Sequence, residues 1–171
     1  MNKNNISNLL NLDHVKILFS IFEKNEDKIR LVGGCIRDTL INKEIKDIDT
    51  ATTLKPNEVL NLLDKNNIEY DDFAIQYGSI IAYPLGRKIQ ITTLREDINQ
   101  IGRHTDVIYT TDWKKDSDRR DFTLNAMYLS SKNKLFDYHR GYLDIKEKKI
   151  NFIGEIEDRI KEDYLRIYRY F

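Results

Sequence analysis

Two short stretches decide how this sequence folds: LVGGCIRD (residues 31–38) and, shortly after it, KDIDT (residues 46–50). An apolar run begins at Ile29 and stops at a glycine pair, which is typical of a buried strand that turns sharply into a helix. Residues 47–52 alternate in polarity and are rich in β-formers, so they predict a second strand. The region thus predicts strand, glycine turn, helix and strand in succession.

The second stretch carries two carboxylates at strand spacing. Because residues i and i+2 point to one face of a strand, Asp47 and Asp49 should lie about 6.6 Å apart along it, with Ile48 turned into the core. Such a pair can hold two divalent ions ~3.5–4 Å apart, which clamp the attacking and leaving oxygens in phosphoryl transfer. Oxygen ligands favour Mg²⁺ over zinc. An exposed acidic pair at a strand end is the alternative.

The glycine pair has a complementary property. Gly33 and Gly34 let a phosphate approach the backbone, and the following helix offers free N–H groups and the positive end of its dipole. Arg37 lies one turn into that helix and can add a positive charge. A tight turn that needs glycine only for its dihedral angles is the alternative for this motif alone. A phosphate cradle followed closely by a carboxylate strand is much harder to obtain by chance.

Composition limits the class of protein. The 171 residues correspond to about one domain, and 40% hydrophobic with 33% charged residues is typical of a soluble globular chain. No apolar run reaches the ~18 residues of a membrane span, and the N-terminus lacks a secretory signal, so we expect no membrane partner and a cytoplasmic location. The 28 basic and 28 acidic residues cancel, so nucleic acid would have to bind a local basic patch or a segment outside this chain.

Periodicity predicts the other elements. Apolar spacing predicts helices over residues 13–24, 35–42, 56–65 and 122–129, and β-rich runs predict a hairpin from 79–84 and 88–94 and a strand over 135–138. Residues 95–118 are polar and lack a period, which predicts a long mobile loop. From Glu155 onward an apolar stripe follows one helical face to Phe171. That face needs cover, so we expect either a continuation of the chain or a partner there.

Four motifs in chain order resemble one family. GGCIRD…KDIDTAT resembles the signature of the polymerase-β-like nucleotidyltransferases, and more closely that of the class II tRNA nucleotidyltransferases and bacterial poly(A) polymerases. RRDFTLNA (residues 119–126) is similar to that family's RRDFTxNA motif. Residues 136–145 are similar to its D…G…DI segment, and residues 162–169 to the EDxLRxxR motif that begins its helical neck. The resemblance implies an α+β fold: a head (residues 1–150) with a small mixed β-sheet flanked by helices, then the start of an α-helical neck (residues 151–171).

The resemblance also implies roles for matching positions. Asp47 and Asp49 are expected to hold two Mg²⁺. The residues expected to contact the triphosphate are Gly33, Gly34 and Arg37. Those expected near the ribose, where they would select ribonucleotides, are Arg120, Asp121 and Asn125.

The last motif is expected to recognise the base. Asp163 and Arg166 would pair with the Watson–Crick edge of CTP or ATP, with Arg169 nearby, because aspartate accepts from an exocyclic amine and arginine donates to ring acceptors. Their i,i+3 spacing predicts a shared helix face. An ordinary helical ion pair is the alternative.

The activity implied is template-independent addition of CMP and AMP, from CTP and ATP, to the 3′ end of tRNA, as CCA addition or its A- or C-adding part. A poly(A) polymerase is the alternative. A second alternative is a catalytically weak nucleotide- or RNA-binding module. It is considered because Gln90 occupies the position where the family usually has a glutamate as a third carboxylate. The family continues into body and tail domains that grip tRNA, so such domains are expected C-terminal to this chain.

Overall fold

The structure, a computed structural model, describes residues 3–22, 28–101 and 104–170. Its helices are α1 (Lys3–Leu10), α2 (Asp13–Phe22), α3 (Gly34–Leu40), α4 (Pro56–Lys65), α5 (Trp113–Asp118), α6 (Gly141–Glu147), α7 (Ile156–Glu162) and α8 (Leu165–Tyr170). Its strands are β1 (Ile29–Val32), β2 (Asp49–Thr52), β3 (Tyr70–Asp71), β4 (Ser79–Ala82), β5 (Ile89–Thr93), β6 (Arg95–Ile101), β7 (His104–Tyr109), β8 (Met127–Leu129) and β9 (Leu135–Asp137). Within these ranges no helix has both the length and the apolar character needed to cross a bilayer.

One mixed sheet organises the chain. Its seven strands run in the order β3-β4-β5-β2-β1-β8-β9, and only β2 and β5 pair in parallel. The two strands predicted around the glycine turn, β1 and β2, lie next to each other near its centre. Their register sets Asp49 beside Val32 on one side and beside Gln90 on the other. The predicted α+β class, a mixed sheet with flanking helices, is confirmed.

The two faces of the sheet differ. One face packs against the larger core, which includes Leu18 of α2 and Leu63 of α4 and also takes Ile48, 7% exposed, as predicted. Each fully buried aliphatic side chain there contributes about 1.5–3 kcal/mol. Strand alternation turns Asp49 to the opposite face, which carries a smaller cluster around Tyr128. The carboxylate of Asp49 therefore lies on the less covered face of a well-packed sheet.

The segment 95–118 is not the predicted loop. Strands β6 and β7 form an antiparallel hairpin with a register shift between Ile98 and Ile101, and α5 follows, capped by Asp112, whose carboxylate accepts from the backbone N–H of Lys114 at 2.8 Å. The prediction was wrong because a two-stranded ladder satisfies its backbone groups without an apolar face, so no period-2 pattern marks it.

Two helix predictions also need correction. Residues 122–129 form a 3-10 turn, Thr123–Asn125, followed by β8, because this segment pairs between β1 and β9 in the sheet and that pairing overrides local helical spacing. The single helix predicted from Glu155 is broken at Asp163, whose backbone is extended (φ −154°, ψ 105°) and separates α7 from α8. The end of the predicted stripe, Phe171, lies outside the described residues.

Candidate active site

The predicted carboxylate pair lies at the start of β2. The strand itself begins at Asp49, so Asp47 precedes it, but both residues line one pocket of about 280 Å³ together with Lys88 and Gln90. Burial raises the pKa of Asp49; the positive charge of Arg120 opposes this shift, and the negative charge of Asp47 adds to it. The two carboxylates are therefore close enough to repel each other in the absence of a cation.

This set of donors fits a hard divalent cation. Two repelling carboxylates are stabilised by a positive charge between them. Gln90 lies beside Asp49 in register, and its Nε2 donates to Ser79 Oγ at 3.0 Å, which fixes the side-chain amide near the pair. No group of three or more His, Cys, Asp or Glu side chains is placed to hold a metal in the described part of the chain. Mg²⁺ typically binds to one or two carboxylates, and oxygens of water and substrate complete its coordination shell.

The glycine turn gathers the predicted phosphate-binding residues. Gly33 has φ 76° and ψ −129°, a conformation that L-residues avoid, at the start of α3. A Cβ there would lie 3.5 Å from the carbonyl oxygen of Asn125 and 3.9 Å from Nη1 of Arg120, and a Cβ on Gly34 would lie 3.5 Å from Nη2 of Arg37. The fold thus brings Arg37 and Asn125, which are 88 positions apart in sequence, together at one turn.

A continuous polar chain joins this turn to the C-terminal segment that contains α8. Arg37 Nη1 donates to Asn125 Oδ1 at 2.7 Å, and Asn125 Nδ2 donates to Asp121 Oδ1 at 3.3 Å. Arg169 then bridges two acids, with Nε 3.1 Å from Asp121 Oδ2 and Nη2 3.2 Å from Asp163 Oδ2. Five of the predicted site residues therefore belong to one network.

Arg120 belongs to a second network that the sequence did not reveal. Its Nη2 donates to Asp116 Oδ2 at 3.0 Å, Arg119 Nε donates to Oδ1 at 2.9 Å, and the hydroxyl of Tyr128 donates to Oδ2 at 2.7 Å. Burial alone would raise the pKa of Asp116, but the charges of Arg120 and Arg119 lower it to about 2. The available signal was the i,i+3 and i,i+4 spacing of Asp116 to the two arginines, in a stretch that the composition marks only as an interrupted basic cluster.

Asp163 and Arg166 do not share a helix face as predicted. Asp163 lies in the break between α7 and α8, where its Oδ1 accepts from the backbone N–H of Leu165 at 3.0 Å. Arg166 is 5% exposed and donates instead to Glu162 Oε2 at 2.6 Å. The i,i+3 argument failed because it assumed an unbroken helix.

An open cleft of about 570 Å³ extends from Asp49 across the less covered face of the sheet. Strand alternation builds its floor, because Gln90 and Thr92 of β5 face it while Ile89 and Ile91 are buried in the core. Three arginines line it: Arg95, Arg119 and Arg120.

Comparison with known proteins shows the family of the chain. Residues 29–151 match the family model described as the poly(A) polymerase head domain. The chain is 42% identical over 155 residues to CCA tRNA nucleotidyltransferase 1, mitochondrial, of Danio rerio, and 39% identical over 140 residues to the CCA-adding enzyme of Oceanobacillus iheyensis. These alignments cover 90% and 81% of this chain but 36% and 34% of the relatives, so the chain spans about a third of their length.

Solved structures give the same result. The CCA-adding enzyme of Bacillus stearothermophilus in complex with CTP superposes with a TM-score of 0.78 at 26% identity, covering 92% of this chain and 38% of that one. A tRNA nucleotidyltransferase complexed with a primer tRNA and an incoming ATP analog gives 0.66 at 28% identity, covering 82% and 39%. Since the family match spans the glycine turn, the carboxylate strand and the RRDF segment, the chain belongs to the family of poly(A) polymerase head domains.

Proposed function

We propose that this chain is the catalytic head of an RNA nucleotidyltransferase that adds CMP or AMP, from CTP or ATP, to the 3′ end of tRNA. The observation that carries the proposal is the meeting of the glycine turn, the Asp47–Asp49 pair and Arg120 at one end of the central strands. The named relatives and the CTP and primer-tRNA complexes of similar structures support the same substrates.

In the proposed reaction the 3′-hydroxyl of the RNA attacks the α-phosphorus of the nucleotide, and pyrophosphate leaves. Asp47 and Asp49 would hold the divalent cations, two Mg²⁺ on the family's pattern, which when bound lower the pKa of the attacking hydroxyl and neutralise the leaving group. Arg37, fixed by Asp38 and Asn125 beside Gly34, would place a positive charge at the triphosphate. Arg120 would add another at the carboxylate pair.

We place the head at residues 1–150 and the start of the neck at residues 151–171. Base choice would depend on the junction between them, where Arg169 joins Asp121 of the head to Asp163 of the neck. Body and tail domains, which would hold the rest of the tRNA, are proposed to follow, since the relatives are about three times as long as the matched region. The cytoplasmic location stays a prediction.

The test is incubation of the chain with Mg²⁺, labelled CTP or ATP, and tRNA that lacks its CCA end. Addition that stops after the CCA residues, or after its C or A part, supports the proposal. A long A tail would identify a poly(A) polymerase instead, and nucleotide binding without extension would identify the weak module that Gln90 suggests.

We expect Asp49→Asn to abolish extension, because it removes one of the two metal-holding carboxylates, with little change in melting temperature. Asp64→Asn, at an exposed position on α4, is the matched control and should extend like the wild type. Extension by Asp49→Asn at a comparable rate would rule out the metal assignment.

A further inference from the structure

Two aromatic side chains that line the cleft are largely exposed. Phe73 is 74% exposed and Tyr77 is 51% exposed; among the described residues only Tyr168 is a more exposed large apolar side chain than Phe73. Both line the same cleft as Asp49. Their rings contribute little to the core, so their exposure beside a functional carboxylate is typical of a binding surface.

The backbone that carries these rings is held firmly. Within the 3-10 turn Ile75–Tyr77, Ile75 N–H donates to Asp72 O at 2.8 Å and Gly78 N–H donates to Ile75 O at 2.8 Å. Arg95 of β6 donates to the carbonyl oxygen of Tyr77. The turn is therefore anchored to the β6–β7 hairpin.

Gly78 permits a second anchor. It has φ +75°, and a Cβ there would lie 2.8 Å from the ring of Tyr109 in β7, so only glycine allows that ring to pack on the turn. A surface whose backbone is fixed in this way presents its rings with little loss of conformational entropy on binding.

The charge of the cleft indicates what would lie against the rings. Its lining includes three arginines and one aspartate, and the buried Asp116 pairs with two of these arginines. Counting Asp116, the formal charge is 3 − 2, or +1, although the whole chain is neutral. Exposed aromatic faces next to cationic side chains are how proteins bind unpaired nucleotides, with bases on the rings and phosphates near the charges. An acidic or apolar protein segment would match only one of these two properties.

We propose that Phe73 and Tyr77 form a stacking platform for the unpaired 3′-terminal bases of the RNA substrate, which would place the terminal hydroxyl toward Asp49. This assignment rests on the proposed function and deepens it. Of the residues proposed for the incoming nucleotide, Arg120 lines this cleft, whereas the glycine turn with Arg37 and Asn125 does not. The platform is therefore assigned to the RNA and not to the nucleoside triphosphate.

The experiment is a binding titration of the chain against a short single-stranded RNA that ends in CC and carries 2-aminopurine just before it. No nucleotide and no Mg²⁺ are present, so the measurement does not depend on catalysis. Stacking should quench the fluorescence. Because base–aromatic stacking is worth roughly 1–3 kcal/mol, we expect Phe73→Ala and Tyr77→Ala each to weaken binding by about tenfold or more and to reduce the quenching.

Matched variants separate stacking from other effects. Phe73→Trp keeps a π-face and should retain binding, whereas Phe73→Leu keeps an apolar side chain and should lose it. Leu85→Ala removes a side chain that is 66% exposed and lies outside the cleft lining, so it should bind like the wild type. Melting temperatures verify that each variant is folded.

Several results would overturn the platform: no quenching with the wild-type chain, equal binding by Phe73→Leu, or a Phe73→Ala variant that raises KM for CTP but leaves the RNA affinity unchanged. The two proposals fail separately. A wild-type chain that binds RNA through Phe73 but never extends it would retain the platform and refute the proposed reaction. Normal extension by Phe73→Ala with an unchanged KM for RNA would refute the platform alone.

Discussion

At the scale of single residues, Asp116 is only 1% exposed and forms ion pairs with Arg119 and Arg120, two arginines that line the cleft. Replacing it with asparagine leaves Arg119 and Arg120 without their shared counter-charge. Removing one partner of a buried ion pair is strongly destabilising, so we expect Asp116→Asn to lower the free energy of unfolding by about 3 kcal/mol. Urea denaturation at pH 7 measures this; a loss under 1 kcal/mol would mean that solvent reaches the site.

The same residue predicts a pH dependence. The pKa of Asp116 is lowered from 3.8 to about 2 on folding, so its contribution is present above pH 3.8 and is lost as the pH falls through about 2. Asn does not titrate. The stability difference between the wild type and Asp116→Asn should therefore shrink by about 2 kcal/mol between pH 5 and pH 2. A difference that stays constant over this range would show that Asp116 has an ordinary pKa.

Gln90 allows a prediction about the metal. A glutamate at this position would add a third negative charge beside Asp49, its partner in strand register. We expect Gln90→Glu to lower the melting temperature without metal, through repulsion, and to raise it more steeply with added Mg²⁺ than in the wild type. Thermal melts across a MgCl₂ series compare the two chains. Identical responses to Mg²⁺ would place the cation away from β5.

Most site residues could be predicted from sequence because their signals are local. The glycine pair and the Asp47–Asp49 spacing each fit within one motif, and the structure brings them together with Arg37, Arg120 and Asn125. The burial of Asp116 and the exposure of Phe73 depend instead on how separate elements pack together. A single sequence does not specify which carboxylate is buried or which aromatic ring is left in solvent.

At the scale of elements, close packing of α6 holds the turn that carries Asn125. A Cβ on Gly141 would lie 2.2 Å from the carbonyl oxygen of Thr123, and the hydroxyl of Thr123 donates to Asp144 Oδ2 at 2.5 Å. We expect Gly141→Ala to destabilise the chain by about 3 kcal/mol, because backbone must move to admit the methyl group.

Gly86→Ala is the matched control for that substitution. Gly86 has φ +70° but nothing within 4 Å of a Cβ, so only backbone strain of about 1 kcal/mol is expected. Denaturant unfolding of both variants compares the two effects. Equal losses would indicate that the contact between α6 and the 3-10 turn relaxes freely.

Element prediction succeeded where local signals such as a glycine pair or a proline mark the end of a segment. Strand β1 and helix α4 begin and end as their sequences predict. It failed for the β6–β7 hairpin, whose ladder leaves no apolar pattern, and for β8, whose strand state is imposed by pairing with β1 and β9. It also missed the break at Asp163, because the apolar spacing continues across it.

At the scale of the whole molecule, the C-terminal segment proposed as the neck packs back onto the rest of the chain beside the site. Ile153 N–H donates to Asp121 O at 2.9 Å, and the ring of Phe152 lies 4.7 Å from that of Phe122. Arg159 Nε donates to Ile153 O at 2.6 Å and so ties α7 to the same contact. The position of Asp163 relative to the glycine turn is thus set by contacts on both sides of the proposed junction.

Because these contacts fix the position of Asp163, a substitution of this residue tests its proposed role in base choice. Asparagine caps a helix as well as aspartate does, so Asp163→Asn should keep the bond to Leu165 and the fold. It replaces one carboxylate oxygen with a donor, however, so a carboxylate that accepts from an exocyclic amine would be lost. We therefore expect the ratio of CMP to AMP incorporation to change more than the rate with the preferred nucleotide.

Single-turnover extension with CTP and with ATP measures both quantities. Asp158→Asn, at an exposed position on α7, is the control for a lost neck charge and should leave the ratio alone. If Asp163→Asn slowed both nucleotides equally, Asp163 would act only by holding Arg169 against the head, because loss of a shared structural contact affects every nucleotide alike.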